Sequence, residues 1–170
     1  MKNFTIYCFR NDLRLLDNPA FLKATIESDV LLPLFCHPNN ELIHKDIQRI
    51  GIHRQTFLRQ ALNQLRSHLK SLNSDLLEVN GNICEEIKKI SEAIGATKII
   101  FEKIVSPEEL NEEISIRSLG ISVETVWQSS MIDLKDLPFE LEKMPDIYTE
   151  FRKLIESKKI ITKVPIALPE

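Results

Sequence analysis

Glycine and cysteine are scarce in this sequence: 4 glycines and 3 cysteines stand among 170 residues. So few glycines, with only 8 prolines, exclude a collagen-like or low-complexity chain. Three scattered cysteines, an odd number with no close spacing, exclude a disulfide framework and fit a reducing cytoplasm. No Gly-x-Gly-x-x-Gly turn and no P-loop follows the first apolar run, which removes the simplest support for nicotinamide redox chemistry or nucleotide hydrolysis. Positive charge is not in excess either. The 22 Lys+Arg against 25 Asp+Glu give a net charge of −3, unlike the basic balance of a free-standing nucleic-acid binder. No apolar run approaches the roughly 18 residues of a membrane span, and the longest, over 30–36, contains Pro33. The opening Met1-Lys2-Asn3-Phe4 lacks the basic-then-apolar pattern of a signal peptide. These absences lead to the expectation of a soluble cytoplasmic domain with no membrane segment and no nucleic-acid binding of its own.

What is present is a 43% hydrophobic content, enough for one well-packed core at this length. Five β-rich runs punctuate the chain, over 4–9, 30–36, 75–80, 98–102 and 122–127. Three of them are nearly continuous apolar stretches rather than alternating ones. That pattern marks strands covered on both faces, as in a parallel sheet. Pro33, which removes a ladder donor, predicts a bulge in the second strand.

Helical patterns fall between the strands. Asn18-Pro19 is a cap followed by proline in the first turn and opens a helix over 19–27. The longest amphipathic pattern covers 54–71, with Phe57, Leu58, Ala61, Leu62, Leu65 and Leu69 at helical spacing. Shorter helices are expected over 82–94, stopped by Gly95, and over 107–119, stopped by Gly120. Strand–helix alternation with right-handed crossovers gives α/β architecture. The expected sheet is five-stranded, parallel and doubly wound, Rossmann-like, in the order 3-2-1-4-5, with helices on both faces. Residues 1–135 form this domain. Residues 136–170 break the rhythm, carrying one more helix over 146–157 and then a Lys- and Pro-containing stretch that resembles an interdomain linker.

Candidate chemistry is sparse. His37, His44, His53 and His68 fit no ligand spacing, so no metal site is expected. Cys36 and His37 are neighbours on a strand end and point to opposite sides, which favours a buried thiol beside a loop imidazole over a catalytic pair. Trp127, ending the last strand, is expected in the core. The most informative segment is Arg10-Asn11-Asp12-Leu13-Arg14-Leu15-Leu16-Asp17-Asn18-Pro19. It puts Arg10, Asp12, Arg14 and Asp17 in the first βα loop, at the carboxyl edge where open α/β sheets hold ligands. The plain structural reading has these four side chains bonding one another and nearby carbonyls to pin the loop.

The block Phe-Arg-Asn-Asp-Leu-Arg-x-x-Asp-Asn-Pro-Ala over 9–20, followed by the strand over 30–36, resembles the opening of the DNA photolyase/cryptochrome family. Gly51-x-x-Arg54-x-x-Phe57-Leu58 is similar to that family's long second helix, and Gly95-Ala96-Thr97-Lys98 to its fourth βα unit. Leu137-Pro138-Phe139 and Met144-Pro145-Asp146-Ile147-Tyr148 resemble its cryptochrome DASH branch. The resemblance implies the N-terminal α/β part of a two-part machine whose larger helical domain, absent from this sequence, holds FAD and damaged DNA. It therefore implies no catalytic residue here, no FAD in this chain alone, and a separate FAD-binding helical domain as partner. The function it leaves is to hold an antenna chromophore, a reduced folate of the methenyltetrahydrofolate type in the DASH branch, or to dock on the flavin domain, in blue-light DNA repair or signalling.

By the same resemblance the pigment contacts fall in the loop after the fourth strand, on Glu108 and Glu109, then Glu102 and Ser106. Those residues also read as a helix start, with Ser106 as cap, Pro107 first, and acids on the positive dipole end. Two other classes remain open. A universal-stress-type nucleotide binder would use Asp12 to hold adenine, and a structural or regulatory remnant would bind only a protein partner.

Overall fold

The computed structural model describes residues 2–38, 42–44, 47–48, 50–160 and 162–169. In chain order the elements are β1 (Phe4–Phe9), α1 (Pro19–Glu27), β2 (Val30–His37), β3 (Leu42–His44), β4 (Ile47–Gln48), α2 (Ile52–Ser71), β5 (Leu77–Asn80), α3 (Ile83–Ile94), β6 (Lys98–Glu102), α4 (Pro107–Arg117), β7 (Ser122–Val126) and α5 (Tyr148–Ser157). Two one-turn 3₁₀ segments, Leu134–Asp136 and Leu141–Lys143, separate β7 from α5. Five parallel strands form one sheet in the order β5-β2-β1-β6-β7, which is 3-2-1-4-5 among the parallel strands. The pair β3–β4 is a separate antiparallel hairpin that the sequence pattern does not announce. Among the described residues no helix is long and apolar enough to cross a membrane.

Continuous apolarity in the central strand has its expected cause. Along β1, Tyr7 and Phe9 face one core with α1 and α2, through Phe21, Ala24, Leu62, Leu65 and Leu69. Ile6 and Cys8 face the other, with Ile87 of α3 and Ile116 of α4. Alternate side chains of one strand thus bury on opposite faces. On the first face Tyr7, Phe9 and Phe21 pack ring against ring at 4.7 to 5.5 Å between centroids.

No bulge forms at Pro33. It lies opposite Tyr7 in an unbroken β1–β2 register. The outer neighbour β5 pairs with β2 only from Leu34 onward, so Pro33 has an open edge on that side, where a missing donor is tolerated. Helix ends follow local chemistry. Asn18 accepts from the Phe21 amide, and Asn82 from those of Cys84 and Glu85. Gly95 ends α3 in the left-handed region at φ 68°, donating to the Ser91 carbonyl. α2 begins at Ile52, two residues before its amphipathic pattern, because the extended Gly51 backbone opens the helix with no side-chain cap.

Candidate functional site at the carboxyl edge of the sheet

Strand order reverses between β1 and β6, so the loops that leave these strands diverge and expose the carboxyl edge between them. Asp12, in the loop after β1 and only 1% exposed, is the hub of that edge. Its Oδ1 accepts from the Arg10 amide at 2.9 Å. Its Oδ2 accepts from the Tyr7 hydroxyl, from Asn18 Nδ2 at 3.0 Å and from Gln128 Nε2 at 2.9 Å. Gln128 Oε1 in turn accepts from the Ala20 amide, and Asn18 Nδ2 also donates to the Arg14 carbonyl. The Tyr7 hydroxyl, buried and facing the Asp12 carboxylate, is pushed well above the ordinary phenol range, first by burial and then by that charge.

The four loop residues named from the sequence are brought together, with a different division of labour from mutual ion pairing. Arg14 Nε donates to the Asp17 carbonyl at 3.2 Å. Asp17, at φ 51°, is held by the chain's last segment: its amide donates to the Ile166 carbonyl at 2.9 Å, and its Oδ1 accepts from the Ile166 amide at 3.2 Å. Arg10 lies with its guanidinium 4.4 Å above the Phe101 ring and 3.3 Å from Glu112 Oε2. Its side chain is 6% exposed, and among the described residues Nε, Nη1 and Nη2 make no hydrogen bond beyond that ion pair.

Across the edge, Glu102 ends β6. It is 6% exposed, accepts from Ser129 Oγ at 3.0 Å on Oε1, and keeps Oε2 buried with no hydrogen-bond partner among the described residues. Burial, followed by the nearby Asp12 charge, raises its carboxyl above the usual range. Ser106 occupies the N-cap position of α4 but makes no cap bond to the backbone. Its hydroxyl donates instead to the Glu109 carboxylate, a charge-assisted bond that corrects the simple cap reading. Glu108 is exposed in the first turn beside it. Glu102 therefore belongs to the buried edge cluster, while Ser106, Glu108 and Glu109 sit together at the start of α4.

Tyr7 and Gln128 escaped the sequence reading. Tyr7 reads as one more apolar strand residue, and Gln128 lies far along the chain from Asp12 with no local pattern to mark it. Trp127 is half-buried rather than in the core, with Nε1 donating to Ser130 Oγ at 2.7 Å. His37 pairs with Glu78 at 2.7 Å, and burial pushes the Cys36 thiol up to about 11, so the two do not form a reactive pair. Among the described residues no cluster of His, Cys, Asp or Glu can hold a metal ion.

An open parallel sheet with its strand order reversed at a switch point defines a doubly wound α/β domain. The chain belongs to the DNA photolyase family, whose model it matches over residues 5–170. It is 35% identical to the cryptochrome DASH, chloroplastic/mitochondrial, of Arabidopsis thaliana, over 98% of this chain and 32% of that protein. The cryptochrome of Synechocystis sp. PCC6803 superposes with a TM-score of 0.90 and 29% identity, over 99% of this chain and 36% of that one. An archaeal photolyase from Sulfolobus tokodaii, described as carrying two FAD molecules, shares the fold with a TM-score of 0.80 and 21% identity, over 97% of this chain and 37% of that one. The chain thus spans about a third of the length of these relatives.

Proposed function

We propose that this chain is an antenna module: it holds a light-harvesting pigment at the carboxyl edge of its sheet and docks on a flavin-bearing helical domain. It carries no catalytic group for repair by itself. Residues 136–170 lead toward that helical domain as a linker, and three free cysteines suit a cytoplasmic, reducing setting. The observation that carries this reading is the pair of buried polar groups with unused hydrogen-bonding capacity on either side of the switch point. Arg10 presents a buried guanidinium that meets Glu112 at 3.3 Å and the Phe101 ring but makes no hydrogen bond, and Glu102 a buried Oε2 with no hydrogen-bond partner, among the described residues. Groups left in that state are costly unless a ligand completes them.

A reduced folate fits this donor and acceptor set. The amino-pyrimidine edge of its pterin offers N–H donors to a carboxylate such as Glu102, and its own carboxylates suit Arg10. Ser106, Glu108 and Glu109 border the same loop at the start of α4, where backbone amides also favour anionic groups. When bound, the folate supplies absorption in the near ultraviolet and blue, with transfer of excitation to a flavin in the partner domain. The adenine-binding alternative is not favoured, because both Asp12 oxygens are already taken by donors of the chain itself.

Titration with 5,10-methenyltetrahydrofolate, followed by pigment absorbance and fluorescence, tests the reading. Wild type is expected to bind, and Glu102→Gln to bind about tenfold more weakly, the effect of losing one charge-assisted bond. Unchanged affinity in Glu102→Gln, or no binding by wild type, would remove Glu102 and the edge from the proposal.

A further inference from the structure

The segment after α5 returns to the carboxyl edge of the sheet and touches it at two places. Ile166 forms a two-bond clasp with Asp17: its carbonyl accepts from the Asp17 amide at 2.9 Å, and its amide donates to Asp17 Oδ1 at 3.2 Å. Three residues earlier, the Lys163 amide donates to the Met131 carbonyl at 3.4 Å, and Lys163 Nζ meets Asp133 Oδ2 at 3.1 Å. Pro165 lies between the two contacts and keeps Val164 and itself extended. Four extended residues reach about 10 Å, so one short stretch bridges two loops.

Those loops are also joined from within. Asn18, beside Asp17, donates to Asp12 Oδ2 at 3.0 Å and to the Arg14 carbonyl at 2.9 Å. Its Oδ1 accepts from the Tyr7 hydroxyl at 3.0 Å and from the Phe21 amide at 2.9 Å. From the other loop, Gln128 donates to the same Asp12 oxygen at 2.9 Å. Loops 12–18 and 128–133 therefore share two fastenings, the buried Asp12 inside and the segment 163–166 outside. Asp17 sits at φ 51°, a left-handed conformation that a non-glycine residue keeps where surrounding bonds impose it. The clasp engages both its amide and its carboxylate.

The outer fastening is the weaker one. Over 162–168 every residue is exposed except the half-buried Ile166, and Val164 is 82% exposed. A few partly exposed polar bonds hold the segment, which puts its opening at the low end of the range of local stabilities. Salt screens the Lys163–Asp133 pair as well. We infer that residues 163–166 are a releasable strap: closed, it clamps loops 12–18 and 128–133 together over the Asp12 hub, and displaced, it loosens both at once. A partner that takes hold of the tail thereby changes the order of the carboxyl edge. The device stands on the chain's own bonds and does not depend on the antenna reading.

The test is hydrogen–deuterium exchange of the full chain, read by mass spectrometry. The double variant Lys163→Glu, Ile166→Pro sets a like charge against Asp133 and removes the amide donor to Asp17, both at positions outside the core. Exchange should quicken about tenfold in segments 10–20 and 127–133 alike, and stay as in wild type in α3 and β6. Trp127, the only tryptophan, is half-buried in the second loop, and its emission should shift to the red. Lys163→Glu alone should loosen both loops by a smaller factor. Lys163→Arg, which keeps the ion pair, and Val164→Glu, which adds a charge between the two contacts, should both match wild type. Wild-type exchange in the loops of the double variant, loosening of one loop without the other, or faster exchange throughout the sheet would overturn the inference. So would an effect of Lys163→Arg or Val164→Glu equal to that of Lys163→Glu.

Discussion

Asp12 shows how much a single buried carboxylate can organise. Four donors converge on it from β1, the first loop, the start of α1 and the segment after β7. Removing the acceptor strands those donors in a dry environment, so Asp12→Ala should cost about 3–5 kcal/mol in urea unfolding. Tyr7→Phe deletes one donor and keeps the ring, and should cost about 1–2 kcal/mol. Equal costs for the two would mean that the tyrosine, not the carboxylate, is the hub. Glu113 offers a pH-dependent case. Burial alone would raise its carboxyl, yet hydrogen bonds from Lys103 at 2.7 Å and Arg117 at 2.8 and 3.0 Å hold it below the usual range. A carboxyl lowered by folding adds stability above its unfolded pKa and loses it as pH falls through the folded value. Glu113→Gln should therefore be less stable than wild type by about 1 kcal/mol near neutrality, with the gap closing in acid. A gap that stays constant with pH would contradict this origin. At this scale the sequence showed Asp12 and the arginines by their place after the first strand. It could not show Gln128 or Ile166, whose contacts join residues more than 100 positions apart, nor that Arg10 would lie over Phe101.

The elements were readable where local chemistry decides them. Asn18-Pro19 and Asn82 start helices, Gly95 stops one, and two-sided burial makes the strand of 4–9 continuously apolar. Asn82→Ala, which frees two first-turn amides, should lower stability by about 1 kcal/mol. Gly95→Ala, at a left-handed position with open space around its Cα, should cost a similar amount through backbone strain alone. Equal thermal midpoints for Gly95→Ala and wild type would show that the helix end relaxes to another conformation. The hairpin β3–β4 was not legible, since runs of three and two residues carry no periodicity. Ser106 misled in a different way. A serine before proline and two glutamates predicts a backbone cap, but a carboxylate three positions on competes for the hydroxyl.

On the scale of the whole molecule, the strand order followed from alternation and handedness, and family membership from a few motifs at the two ends of the chain. The return of the last segment onto Asp17 was not legible, because 158–170 has no apolar pattern of its own. There Lys163 Nζ meets Asp133 at 3.1 Å and Ile166 pairs with Asp17, so the tail meets the loop that carries Arg10 and Asp12. The antenna account makes that edge a place where pigment, tail and flavin domain come together. Native mass spectrometry of the tagged protein from its own cells tests this most directly. The account predicts a complex with a flavin-loaded helical partner, a bound pigment of folate mass, or both. A bare chain free of pigment and partner, or one retaining only a nucleotide, would contradict it.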